Sequence, residues 1–148
     1  MSFTIDRITI DDRSAWFELW SGYLEFYESD LSAATTDATF ARLLDPGSEI
    51  HGVVARDDDG RAIGFVHWLT HAATWAVTDY CYLEDLFVSP GSRTQGVGEA
   101  LIAHVHAWAR DHGSAKVYWL TAETNTVARR LYDRVAARTG LIQYQIGL

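Results

Sequence analysis

Arginine and two glycines stand just before a helix start at a spacing that suits an anion. In the run Glu84-Asp85-Leu86-Phe87-Val88-Ser89-Pro90-Gly91-Ser92-Arg93-Thr94-Gln95-Gly96-Val97-Gly98-Glu99-Ala100-Leu101 an apolar strand passes through a glycine-rich turn into a helix. Gly96 and Gly98 let the backbone approach an anion closely, and the first helical turn leaves its N–H groups without partners. Those donors can converge on phosphate oxygens, with the positive end of the helix dipole behind them. The chemistry on offer is the binding of a diphosphate. A Walker loop is excluded, because it needs Gly-Lys-Ser/Thr and no lysine lies between Met1 and His112. The dinucleotide fingerprint fails as well, since Leu101 stands where its third glycine is required.

What does fit is Arg93-x-x-Gly96-x-Gly98 between a strand and a helix. This resembles motif A of the Gcn5-related N-acetyltransferases (GNAT), whose Q/R-x-x-G-x-G/A loop holds the pyrophosphate of acetyl-CoA. A second stretch agrees: Val117-Tyr118-Trp119-Leu120-Thr121 reads as a strand, and Asn125-x-x-Ala128-x-x-Leu131-Tyr132 resembles the family's motif B helix. The resemblance is strongest from Tyr82 to Tyr132. It implies acetyl-CoA as cosubstrate, contacted by Leu86, Phe87, Val88, Arg93, Thr94, Gln95, Gly96, Val97, Gly98, Glu99, Asn125 and Ala128. Two of these keep a second reading: Arg93 as a solvated loop residue and Asn125 as a plain helix cap. Thr94 departs from the common family version, where glycine often follows the arginine; threonine fits there if its φ is negative.

The resemblance also assigns roles. An amine attacks a thioester only as the free base, so a proton must leave it near neutral pH. Tyr-Leu-Glu-Asp-Leu-Phe-Val at 82–88 is similar to the polyamine acetyltransferase branch, which implies Glu84 as the base; a carboxylate hydrogen-bonded at a strand edge is the structural alternative. Tyr132 matches the family tyrosine that protonates the departing thiolate, or else is an aromatic packed on the sheet. A main-chain N–H near Phe87 or Val88 is expected to polarise the thioester carbonyl. Strand alternation points Asp85 away from Glu84, into a structural role.

For the acceptor, the first helix carries Tyr23, Glu25, Tyr27 and Glu28, which can meet a cationic amine or form an ordinary solvated face. Overall similarity is closest to the spermidine/spermine-type and fungal histone/polyamine-type branches. They imply direct acetyl transfer to a primary amine of a small cationic acceptor: a polyamine, a lysine-like amine or an amino acid. A peptide or histone lysine is the alternative acceptor, and a non-catalytic acyl-CoA sensor the alternative class. Those branches form dimers, and the β-prone end Leu141–Ile146 suggests a homodimer through a C-terminal strand.

The elements that must position these groups follow from periodicity. Phe3–Ile8 reads as a strand; Trp16, Leu19, Trp20 and Tyr23 recur at helical spacing behind Asp11 or Asp12 as cap; and a second helix fits Asp37–Leu44 before Asp45-Pro46-Gly47. Ile50–Arg56 and Ala62–Thr70 flank the hairpin turn Asp57-Asp58-Asp59-Gly60. Asp79–Val88, the helix after Gly96, Val117–Thr121, a helix over 124–137 and a final strand at Leu141–Ile146 complete the order. The expected class is α/β (α+β), a GNAT fold with a mixed twisted sheet of six to seven strands flanked by about four helices, in a single domain over 1–148.

Composition narrows the partners. A net charge of −8 and a pI near 5.0 lack the footprint of a nucleic-acid binder and favour cationic substrates. One cysteine, Cys81, excludes an internal disulfide framework and suits a small core residue. No apolar run approaches the roughly 20 residues that span a bilayer, and the start lacks a basic leader, so a cytoplasmic protein without membrane partners is expected. His104-x-His106 lies at i and i+2 on a helix, which parts the rings, and no metal site is expected.

Overall fold

The computed structural model describes residues 2–148. Its chain order is β1 (Phe3–Arg7), α1 (Arg13–Phe26), α2 (Ala33–Leu44), β2 (His51–Asp57), β3 (Ala62–His71), β4 (Tyr80–Val88), α3 (Val97–Asp111), β5 (Val117–Tyr118) and α4 (Thr126–Val135), with single 3₁₀ turns at Ile10–Asp12 and Pro90–Ser92. The strands form one mixed sheet in the order β1-β2-β3-β4-β5. The first four pair antiparallel, and β4 pairs with β5 parallel. The hairpin turn holds because Asp57 Oδ1 accepts from the amides of Asp59 and Arg61 while Gly60 takes φ +78°.

Each sheet face has its own core. On one, Val53, Ala55, Val66, Trp68, Cys81 and Leu83 meet the α3 stripe Val97, Leu101, Ile102, Val105 and Ala109. On the other, Val54, Phe65 and Phe87 meet Trp16, Leu19 and Trp20 of α1 and Phe40 of α2. Trp16 is wholly buried, and truncating such a side chain costs about 3–5 kcal/mol. The helices therefore clamp β3 and β4 from both sides.

Three sequence expectations are corrected. Among the described residues the sheet has five strands rather than six to seven, because the final strand does not form: Leu141, Ile142, Tyr144 and Ile146 are exposed at 75–90%, and no described strand pairs with them. An extended segment without a ladder partner has nothing to satisfy its amides except water. The second helix begins at Ala33, four residues early, since Ser32 caps it by accepting from the Thr35 amide. Asp12 does not cap α1; its carboxylate is instead taken up by the Thr9 amide and by Arg56.

Candidate active site

The glycine-rich turn is built as a donor cradle. Gly96 sits at φ +81° immediately before α3, and no side chain caps that helix. The Ala100 amide is the first to bond back, to the Gly96 carbonyl, which leaves the amides of Val97, Gly98 and Glu99 without helical partners. Thr94 is also left-handed, at φ +68°, so the condition under which threonine suits the loop is not met. For a β-branched residue this conformation is strained by about 1–2 kcal/mol. Arg93 bends back: its Nε donates to the Val88 carbonyl at 3.0 Å and its guanidinium lies 5.7 Å from the Phe87 ring. Leu131 of α4 packs beside Gly98, so α4 closes over the start of α3.

Next to the cradle, β5 leaves β4 after two residue pairs, Cys81 with Val117 and Tyr82 with Tyr118. Beyond Tyr82 the edge of β4 is open. Ser89 N–H bonds Ile63 on β3, and antiparallel alternation then turns the Phe87 amide toward β3 and the Leu86 and Val88 amides toward the gap. Of the two residues expected to offer a polarising N–H, Val88 is therefore the one whose amide faces the opening.

A cavity of about 260 Å³ lies at this gap, lined by Tyr23, Tyr27, Tyr82, Leu83, Glu84, Asp85, Leu86, Trp119, Leu120, Tyr132 and Gln143. Glu84 on β4 and Tyr132 on α4 thus line one space, although α3 and β5 lie between them in the chain. Burial raises the Glu84 carboxyl above its ordinary range, and the charge of Asp85 adds to the rise. Burial, then Tyr27, pushes the Tyr132 phenol up to about 12, which keeps its proton in place at neutral pH. Trp119 packs edge-on against Tyr132 at 5.4 Å. Asn125 donates to Thr121 Oγ1 at 3.2 Å and makes no cap bond to α4.

Asp85 does not point away from Glu84. β4 carries a bulge: His67 pairs with Asp85 and Trp68 with Leu83, so Glu84 has no partner on β3. One extra residue reverses the alternation, and both carboxylates line the same cavity. Asp85 accepts from the Tyr23 hydroxyl at 2.7 Å and from His67 Nδ1 at 2.9 Å. Tyr23 and Tyr27 reach the cavity; Glu25 and Glu28 are exposed and lie outside its lining. Sequence reading passed over His67, Tyr82, Trp119 and Gln143. The available signal was a lone histidine inside the apolar strand Ala62–Leu69.

A second cavity of about 300 Å³ opens near the start of β2, lined by His51, Trp68, His104 and Trp108 among others. It includes neither the cradle nor the Glu84–Tyr132 pair. Among the described residues, no group of three or more His, Cys, Asp or Glu is placed to hold a metal ion, and no helix is long and apolar enough to cross a membrane.

Comparison with known proteins agrees with this geometry. The family model described as "Acetyltransferase (GNAT) family" matches residues 13–136. The chain is 37% identical over 146 residues to the D-amino-acid N-acetyltransferase HPA3 of Saccharomyces cerevisiae, covering 95% of this chain and 91% of that protein. It is 26% identical over 134 residues to the thialysine N-epsilon-acetyltransferase of Caenorhabditis elegans, covering 90% and 82% respectively. Among solved structures, that of AAC(6')-Iy in complex with a bisubstrate analog superimposes with a TM-score of 0.85 at 20% identity, covering 100% of this chain and 99% of that one. With the donor cradle, the splayed strands and a family match over most of its length, the chain belongs to the GNAT acetyltransferase family and is an N-acetyltransferase.

Proposed function

We propose that the protein transfers acetyl from acetyl-CoA directly to a primary amine of a small cationic acceptor, a polyamine, lysine-like amine or amino acid, with Glu84 as general base and Tyr132 as general acid. The observation that carries this reading is the shared cavity: a carboxylate of raised proton affinity and a phenol that keeps its proton line one space beside the open edge of β4. GNAT acetyltransferases use acetyl-CoA, and the fit of that group here is supported by the uncapped amides of Val97, Gly98 and Glu99 beside the gap. Bound there, it supplies an activated acetyl thioester. The loop donors neutralise a pyrophosphate, and the Val88 amide is available to a carbonyl oxygen in the gap. Glu84 takes a proton from the ammonium, freeing the nitrogen lone pair that forms the nitrogen–carbon bond; Tyr132 gives its phenolic proton to sulfur as the carbon–sulfur bond breaks.

The lining supports this acceptor class. Tyr23, Tyr27, Tyr82, Trp119 and Tyr132 offer aromatic faces, Glu84 and Asp85 offer negative charge, and no lysine or arginine lines the cavity. Such a site attracts an amine cation. The printed activities of two relatives, on D-amino acids and on thialysine, support a small amine. We further propose a single catalytic domain acting in the cytoplasm as a homodimer. The dimer reading rests on an unpaired outer edge at β5 and on the exposed apolar tail Leu141–Ile146, each lacking what the other offers.

The test is thiol release from acetyl-CoA over a panel of polyamines, lysine analogues, D- and L-amino acids and a basic peptide, with Glu84→Gln and Tyr132→Phe alongside. The expected result is turnover on one small-amine class and a fall of about 100-fold or more in kcat in each variant. Tight acetyl-CoA binding without turnover on any acceptor, or turnover on the peptide alone, would overturn it.

A further inference from the structure

Four side chains between α1 and the sheet form an unbroken hydrogen-bond chain. The Trp16 indole Nε1 donates to His67 Nε2 at 3.1 Å, and His67 Nδ1 meets Asp85 Oδ2 at 2.9 Å. The Tyr23 hydroxyl donates to the other Asp85 oxygen at 2.7 Å. Trp16 is 0% and His67 1% exposed. An indole N–H can only donate, so His67 Nε2 accepts and the proton of the neutral ring sits on Nδ1, donating to Asp85. One tautomer is fixed, and both oxygens of Asp85 are held as acceptors.

Stability alone does not require such a chain. Replacing buried polar groups by apolar side chains of similar volume is often neutral or stabilising. Here Phe65 stacks on His67 at 4.5 Å and Trp20 lies at 5.6 Å, an environment that would accept another phenyl ring. The chain's location is more informative. His67 and Asp85 are cross-strand partners at the bulge that frees Glu84 from pairing. In an unbulged β4, Asp85 would lie on the α3 face with Cys81 and Leu83; it lies instead on the α1 face with Phe87.

We propose that Trp16, His67 and Asp85 are positioning residues for Glu84: the chain pins the β4 bulge, which leaves Glu84 unpaired at the acceptor cavity and brings the Asp85 carboxylate onto the same wall. This rests on Glu84 as the base. The groups that face Glu84 are Tyr82 and Asp85 on β4, Tyr23 on α1 and Tyr27 just after it, Tyr118 on β5 and Tyr132 on α4. Asp85 is the one other carboxylate among them, so its charge sets the electrostatic bias on Glu84, in the direction of tighter proton binding.

The variants that test this are Asp85→Asn and the double variant Trp16→Phe with His67→Phe, which removes the chain without leaving an orphan indole donor. Each is measured for melting temperature, for kcat and KM on the preferred amine, and for the pH dependence of kcat, with Glu84→Gln as reference. In the double variant kcat, measured well below the melting transition, falls about 10- to 100-fold while KM changes little, the signature of a misplaced base, and the melting temperature also falls because Asp85 keeps only the Tyr23 hydroxyl as a partner. In Asp85→Asn the acidic limb of kcat moves to lower pH, because a like charge has been removed while the burial of Glu84 remains. A double variant with parental kcat and pH profile, or one whose loss of kcat only tracks a fall in melting temperature, overturns the proposal. If Glu84→Gln keeps parental kcat, the base reading itself fails, whatever the other variants do.

Discussion

Glu84 and Asp85 are adjacent in the chain and line the same cavity, an arrangement that regular strand alternation forbids and that the bulge opposite His67 imposes. Two carboxylates on one wall attract a cation. They also repel each other.

That repulsion has a stability consequence. Burial and Asp85 raise the Glu84 proton affinity above its unfolded value, so Glu84 favours folding most below the unfolded carboxyl range of about 4.3 and loses that contribution as pH rises through its folded value. At neutral pH the ionised group opposes folding. Glu84→Gln is therefore expected to melt higher than the parent at pH 7, with the gain vanishing below about pH 4, while activity is lost. Thermal melts across pH 3.5–8 check this; a variant that melts lower than the parent at pH 7 would count against the assigned surroundings of Glu84.

The glycine-rich loop makes a contrasting pair. Thr94 is held at φ +68° against its own preference, and Gly96 at φ +81° with it. Thr94→Gly relieves about 1–2 kcal/mol of strain and adds about 0.5–1 kcal/mol of chain entropy, so its melting temperature should equal or exceed the parent's. Gly96→Ala should lower stability by about 1 kcal/mol, or roughly 2–4 °C. If Thr94→Gly is the more damaging of the two by calorimetry, the left-handed assignment at 94 is wrong.

Cys81 is 0% exposed in the α3-facing core, and burial pushes its thiol up to about 11. The native protein should therefore contribute no fast-reacting thiol at pH 7–8, and one full equivalent after denaturation. Titration with an aromatic disulfide checks this directly, and rapid labelling of the folded protein would contradict the burial of β4.

The exposed tail offers a test of assembly. Deleting residues 141–148 removes Leu141, Ile142, Tyr144 and Ile146 together with Gln143, the tail residue at the cavity. Light scattering should report a dimer for the full chain and a monomer for the deletion, with KM for the amine raised by the loss of Gln143. A full chain that runs as a monomer, or a deletion that remains dimeric, rules out pairing through this segment.

The sequence alone determined what is local. A glycine-rich turn before a helix, an Asx-stabilised hairpin and apolar stripes at strand and helix period are set by neighbouring residues, so the family and the α/β layering were legible from Arg93-x-x-Gly96-x-Gly98 and the spacing of Val97, Leu101 and Val105. Tertiary structure decided whatever depends on a partner far along the chain. The bulge at Glu84 exists only relative to His67 on β3, so the shared wall of Glu84 and Asp85 could not be read from alternation. The early divergence of β5, the bonding of Trp16 to His67, and the failure of Leu141–Ile146 to become a strand are likewise matters of pairing: a β-prone segment becomes a strand only where another edge meets it, and propensity does not say where that edge is.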